Sequence, residues 1–197
     1  MKDPLTTISS PWWRLLFRLT HPREEWFDIF ADDGRIVAEA PRSLCHRGTF
    51  FLHKTVHVIV MNGNGRILLQ KRHPSKDIQP SRWDTSVGGH LRHAELPETG
   101  ALREAAEELG LELSPGSIRE CYDYRMRSDR EAEWVHTFLH RTERTSFLFD
   151  PREITEVRFW TAEEIRRSLD SGIFTPNFMD EYRRFSEWKS REKPEMV

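Results

Sequence analysis

The chain has 197 residues, with 30 basic and 32 acidic side chains for a formal net charge of −2, and 37% of its residues are hydrophobic. That length suits one globular domain with a buried core, and seven Trp with twelve Phe give more aromatic surface than a disordered polyampholyte carries. The balanced charge argues against a broad polyanion-binding face and so against a nucleic-acid partner. Two cysteines, Cys45 and Cys121, build neither a disulfide framework nor a four-cysteine zinc site, and a cytoplasmic location is expected.

In chain order, Trp12, Trp13, Leu15, Leu16 and Phe17 form an apolar cluster broken by Arg14 and Arg18. It is too short to span a bilayer and lacks a following small-residue cleavage site. The expectation is a segment that packs on its own domain or on a second copy, with no stable membrane association and a homodimer left open. Residues 1–24 read as an N-terminal extension and 25–197 as the domain.

A hairpin is expected from Trp26 to Phe30 and Arg35 to Ala38 around Asp33-Gly34, because Asp-Gly between apolar runs favours a tight turn. Strands follow at Thr55 to Met61 and Arg66 to Lys71, joined by Asn62-Gly63-Asn64-Gly65, and the stretch Lys76 to Pro80 reads as a loop. Trp83 to Val87 leads to Gly88-Gly89, and Leu96 to Leu109 is helical, with Pro97 tolerated in the first turn and Gly110 as the stop. Strands at Ile118 to Met126, Glu133 to Leu139 and Val157 to Trp160, then helices at Ala162 to Leu169 and Asn177 to Lys189, complete an α/β pattern with a mixed sheet.

The segment Gly89 to Leu111 is the most informative. At about 100° per residue, Leu102, Ala105, Ala106 and Leu109 share one helix face, and Glu104, Glu107 and Glu108 crowd the other. Like charges three and four residues apart repel by about 0.2 to 0.5 kcal/mol per pair, so the stripe opposes folding unless something positive offsets it. Arg103 answers part of this. A hard divalent cation with oxygen ligands answers the rest, against the plainer reading of a solvated acidic face.

Gly89, Glu95, Arg103, Glu104, Ala105, Glu107, Glu108, Gly110 and Leu111 fit the pattern G-x5-E-x7-R-E-U-x-E-E-x-G-U, where U is aliphatic. On this motif the chain resembles the Nudix hydrolases. The resemblance implies an α/β/α sandwich with a catalytic loop-helix-loop, and cleavage of a nucleoside diphosphate-linked or related organic diphosphate. It also implies magnesium or manganese on Glu104, Glu107, Glu108 and the Gly89 carbonyl, with Glu95 and Arg103 bracing the loop. Cations on a diphosphate neutralise its oxygens and make a bound water more acidic. Closely packed glutamates titrate as a set; Glu104 and Glu108 are the preferred candidates for the base.

A second constellation lies outside that motif. Arg42-Ser43-Leu44-Cys45-His46, the seven-residue step to His53, the run Gly65 to Arg72, Ser75-Lys76 to Pro80 and Trp83 through Gly89-His90 are similar to the Nudix branch that contains type I isopentenyl diphosphate isomerase. That resemblance implies a second candidate metal site at His46, His53, His90, Glu131 and Glu133, with Glu131 and Glu133 two apart on one strand face. Imidazole with carboxylate suits zinc or manganese, and a substrate-shaping site or a hydrogen-bonded remnant are the other readings. Two departures argue against the isomerase itself: Gly88 stands where it has a cysteine, and the glutamate set of the helix is complete here.

Arg72 and Lys76 are the expected substrate-phosphate contacts, against a reading as soluble edge charges. Arg92, His93, Trp83 and Trp134 are candidates for lining a base or prenyl pocket, and either Trp could equally be core. The leading expectation is a metal-dependent hydrolase of a small-molecule diphosphate. The alternatives are an isopentenyl diphosphate isomerase-like enzyme and a catalytically silent binding domain.

Overall fold

The computed structural model describes residue 8 and residues 10–76, 78–128 and 130–192; residues 1–7 and 9 of the expected N-terminal extension, and Asp77 of the expected loop, lie outside the described residues. In chain order the elements are α1 (Pro11–Thr20), β1 (Trp26–Phe30), β2 (Ile36–Pro41), α2 (Arg42–Cys45), β3 (Leu52–Asn62), β4 (Ile67–Arg72), β5 (Trp83–Asp84), β6 (Val87–His90), α3 (Pro97–Leu109), β7 (Arg119–Arg127), β8 (Ala132–Thr142), β9 (Ile154–Trp160), α4 (Ala162–Ser168), a 3-10 turn at Leu169–Ser171 and α5 (Pro176–Arg191). Among the described residues, the larger sheet runs β5-β4-β3-β8-β7, with β6 on β3 and β9 on β4, and β1 pairs β2 separately. No helix is long and apolar enough to cross a membrane among the described residues.

The chain forms two compact units. The first takes the described residues of Met1–Val56, Gly89–Gly100 and Asp123–His136, and the second those of His57–Gly88, Ala101–Tyr122 and Thr137–Val197.

In the first unit the hairpin forms as its Asp-Gly turn requires, pairing Phe27 with Ala40 and Asp28 with Glu39. Phe27, Ile29, Ala40, Cys45, Phe51 and Ile8 make its core, with Trp13 packed against them. Trp13 is thus the residue of the N-terminal cluster that meets the domain core. Trp12 is 81% exposed, and Leu15, Leu16 and Leu19 are exposed as well. Arg14 and Arg18 of α1 pair with Glu39 at 3.5 and 2.7 Å.

The second unit is organised by β3, whose residues from Thr55 to Met61 are all buried. Its turn closes because Asn62 Oδ1 accepts from the backbone N–H groups of Asn64 and Arg66, at 3.1 and 3.0 Å, as Asn does at turns. The stretch that leads into Gly88-Gly89 holds two short strands, β5 and β6. Ser86, fully buried, accepts from the Val60 N–H at 2.9 Å and donates to the Leu68 carbonyl at 2.5 Å. Its hydroxyl therefore replaces a ladder bond between β3 and β4, which diverge to take β6 and β9.

Ile59, Met61, Ile67, Leu69, Trp83, Trp160, Ile165, Phe174, Phe178 and Phe185 form one cluster, so α4 and α5 cover that face of the sheet. Successive strand residues point to opposite faces, so Gln70, next to Leu69, points to the other. Glu108 of α3 accepts from Gln70, which puts α3 there and gives the expected α/β/α layering within this unit. Thr161 and Glu164 make a capping box on α4, while Thr175 caps α5 by accepting from the Phe178 N–H and also donates to Asp84 at 2.8 Å.

Candidate functional site

On α3 the buried stripe is Ala101, Ala105 and Leu109, so the expected face of Leu102, Ala105, Ala106 and Leu109 is rotated by about one residue. Alanines at the first two positions let the backbone approach the sheet, leaving Leu102 and Ala106 at its margin. The helix begins at Pro97 rather than Leu96, and Gly110 at φ +60° ends it.

That rotation turns Glu108 toward the sheet. Its Oε2 accepts from the backbone N–H of Gly88 and from the Gln70 amide, both at 3.1 Å. Burial pushes its carboxyl up to about 8, with the neighbouring Glu104 charge adding to the rise against the pull of the two donors. The other two carboxylates are tied by Arg103, whose Nη1 donates to Glu104 at 2.7 Å and to Glu107 at 3.1 Å. Glu107 has its side chain half exposed, and Glu104 is mostly covered. Glu95 closes the loop before α3 by accepting from the Arg92 N–H at 2.9 Å.

In the first unit, four segments bring His46, His53, His90 and Glu131 together, one ligand atom from each lying within 4.8 Å of the others. His46 Nδ1 meets Glu131 Oε2 at 2.8 Å, and His53 Nδ1 donates to the Phe51 carbonyl at 2.8 Å. Each bond fixes the tautomer and leaves the Nε2 lone pair for a ligand. Both Nε2 atoms are buried without a hydrogen-bond partner. Burial lowers His53 to about 4, keeping the imidazole neutral. Burial disfavours the Glu131 carboxylate, yet the His46 hydrogen bond and the nearby His53 and Arg42 hold it below the usual range.

His90 Nδ1 accepts from Arg42 at 3.1 Å, and its Nε2 lies 3.7 Å from Glu133. Phe27 walls the cluster, its ring stacked on His90 at 4.6 Å and on His53 at 5.3 Å. Glu131 sits just before β8 and Glu133 within it.

The expected phosphate contacts are engaged within the protein. Arg72 donates to the Ile78 carbonyl and to Asp84, the acceptor that also receives Thr175, and Lys76 pairs with Glu153. Of the pocket candidates, Trp83 is a core residue set edge-on to Trp160 at 5.1 Å. Trp134 donates to Asp123 at 2.7 Å and carries Lys54 over its ring at 4.4 Å. His93 is held by Asp28 at 2.7 Å, a bond that raises its pKa. Arg92 lines a cleft of about 200 Å³ with Phe30, Lys54 and Leu96. The sequence reading missed Gln70, Phe27 and Arg42. Of these, Gln70 left a trace as a polar residue in the strand Ile67–Arg72.

The sequence profile described as the NUDIX domain matches residues 51–182. An uncharacterized Nudix hydrolase of Clostridium acetobutylicum is 30% identical over 188 residues, covering 88% of this chain and 90% of its own length. Among solved structures, the Deinococcus radiodurans protein DR0079 superposes with a TM-score of 0.69 at 22% identity, over 81% of this chain and 98% of that one. The NUDIX domain of Shewanella oneidensis NrtR, solved with ADP ribose, gives 0.55 at 16% identity over 70% and 86%. These two likenesses are of fold.

Proposed function

The chain belongs to the Nudix hydrolase family, and from that membership we propose that it cleaves a diphosphate bond in a nucleoside diphosphate-linked or related organic diphosphate, with magnesium or manganese held by Glu104, Glu107, Glu108 and the Gly89 carbonyl. The observation that carries this reading is the row of three carboxylates on α3, with Glu108 turned to the sheet and held by the Gly88 N–H and the Gln70 amide, and Glu104 and Glu107 tied by Arg103. An ionised carboxylate there is costly alone, and a cation beside it offsets that cost. The donor set fits: three carboxylates offer the oxygen ligands that magnesium takes. A cation held there would supply neutralisation of the diphosphate oxygens and a more acidic coordinated water.

The chain's own groups do the rest. Gly88 and Gln70 fix the Glu108 carboxylate so that one oxygen is held by donors and the other accepts the water's proton. Arg103 aligns Glu104 and Glu107 along the helix. Arg72 and Lys76 reach substrate phosphate by exchanging Asp84 and Glu153 for it. A panel of nucleoside diphosphate sugars, dinucleoside polyphosphates, ADP-ribose and prenyl diphosphates, read by released phosphate groups with magnesium and with manganese, tests this. Cleavage of at least one class is expected, and cleavage of none refutes the reading.

The histidine cluster is read as a second metal site for zinc or manganese, built from His46, His53, His90 and Glu131 with Glu133 beside them. The buried Nε2 atoms of His46 and His53 support it. The same cluster favours, as the second reading, an isopentenyl diphosphate isomerase-like activity, for which Gly88 offers no thiol. Incubation with isopentenyl diphosphate in deuterated water separates the two, because isomerisation carries deuterium into carbon and hydrolysis does not.

A further inference from the structure

The cleft lined by Arg92 has no part in the chemistry above, and it lies wholly within the first unit. Its walls come from β1, β2, β3 and the loop that runs into α3, with Phe30, Ile36, Leu91 and Leu96 giving them an apolar surface. Leu91 is 4% exposed, whereas Ile36 is 57% and Leu96 70% exposed. Hydrocarbon open to water thus stands beside a closed apolar wall. Lys54 lines the same cleft, its Nζ 4.7 Å from the centre of the Phe30 ring and 4.4 Å from that of Trp134. Those two rings meet edge-on at 5.8 Å. Aromatic faces attract a cation, so the pair of rings fixes where the ammonium stands.

The loop that closes the cleft is held by carboxylates. Asp28 accepts from His93 Nδ1 at 2.7 Å and from the Ala94 N–H at 2.9 Å, and Glu95 accepts from the Arg92 N–H at 2.9 Å. These bonds keep Ala94 at φ +59°, a left-handed conformation that a residue with a Cβ holds only against a steric cost. The wall is therefore shaped before any ligand arrives, and the two carboxylates that line it are engaged by the loop itself. Lys54 and Arg92 bring the donors. An ammonium has three N–H groups and a guanidinium five, enough to serve bonds within the protein and a ligand together.

We propose that this cleft seats the base of a nucleoside diphosphate-linked substrate, a nucleobase that presents carbonyl oxygens as uracil does, with Lys54 donating to one of them. A volume of about 200 Å³ suits a single flat ring system, and such a ring covers the apolar surface that Ile36 and Leu96 leave open. A prenyl chain would set hydrocarbon against the ammonium, which costs the charge its solvation without return. An adenine amino group would bring a further donor to a cleft whose carboxylates are already engaged. The inference rests on the hydrolase reading for the diphosphate, and it deepens that reading by naming the class of group attached. The loop leads directly into α3 at Pro97, so one continuous stretch carries both the base cleft and the glutamate row.

The test is calorimetry of the full chain in magnesium with four probes: methylenediphosphonate, which has no base, α,β-methylene-UDP, α,β-methylene-ADP and dimethylallyl thiolodiphosphate. The uridine probe is expected to bind at least about 10-fold more tightly than each of the others. Lys54→Met should weaken the uridine probe by about 10-fold, the loss of one charge-assisted hydrogen bond, and leave methylenediphosphonate unchanged. Leu96→Ser, at an exposed position, should weaken the uridine probe by a smaller factor and also spare methylenediphosphonate. A base that adds no affinity, an adenine or prenyl probe that binds as tightly as the uridine one, or full uridine affinity in both variants each overturns the inference. If uridine selectivity and its loss in the variants appear while the wild-type protein cleaves no diphosphate, the cleft stands and the hydrolase reading falls. Cleavage of a uridine diphosphate compound with KM unchanged in both variants keeps the hydrolase reading and overturns the cleft.

Discussion

In the cluster around His53, ligand atoms from four chain segments already lie within 4.8 Å of one another, and two imidazoles present unbonded Nε2 atoms in a buried setting. On α3 the three glutamates follow one another along a single helix, yet Arg103 ties two of them and Gly88 with Gln70 holds the third. One region brings its ligand atoms together from four segments; the other is a row of carboxylates tied to neighbouring donors. The difference follows from ligand type. Neutral imidazoles can converge without repulsion, whereas three carboxylates cannot be drawn together without a countercharge. A preformed nitrogen-rich cage suits an ion that stays, and a held-apart carboxylate row suits one that arrives with its substrate.

Metal retention by the cage separates the two regions most sharply. Protein purified and equilibrated with zinc or manganese should keep about one ion per chain through gel filtration, whereas His46→Asn or His53→Asn should weaken that binding by more than about 100-fold. Elemental analysis of the eluted protein decides it, and equal retention by the variants would leave the cluster a hydrogen-bonded remnant.

Glu108 has its own stability signature. Its folded-state pKa of about 8 lies above the ordinary carboxyl value of 4.5, so its stabilising share is complete below pH 4.5 and is lost as pH rises to 8, by an amount on the order of 5 kcal/mol. In chelator at pH 8, Glu108→Gln should therefore be more stable than wild type to urea, and magnesium should narrow that gap. His53 runs the other way. Its pKa is lowered from 6.5 to about 4, so its share is present above pH 6.5 and lost as pH falls to 4, by roughly 3 kcal/mol in the metal-free protein. His53→Gln should flatten that acid limb. The smallest effect is Arg103→Ala, expected to cost less than about 1 kcal/mol in urea denaturation with magnesium present.

How much of this was readable in the sequence differs between the same two regions. The α3 motif is contiguous, so helical period and fixed spacing exposed all three glutamates and their helix, missing only its rotation by a residue. The cage draws on four segments separated by up to 41 positions between Glu131 and His90. No local period links them, and resemblance alone suggested the set. Ser86, Trp83 and the pair of His57 and Glu181 show a further limit. A hydroxyl bonded between two strands, an indole in the core and a buried polar pair depend on neighbours that only the folded chain supplies. The ion pairs that Arg72 and Lys76 make with Asp84 and Glu153 were not legible either, because these partners lie 12 and 77 positions away.

The proposed function divides the labour, with hydrolysis on the α3 carboxylates and a resident ion in the histidine cage. Its most direct test is kcat for one cleaved diphosphate in saturating magnesium, compared among wild type, Glu108→Gln and His53→Asn. Glu108→Gln should lose about 10²- to 10⁴-fold, the range for removing a general base, while His53→Asn keeps more than about a tenth of the wild-type rate. A Glu108→Gln variant that turns over like wild type, or a His53→Asn variant that loses as much as Glu108→Gln, would contradict it.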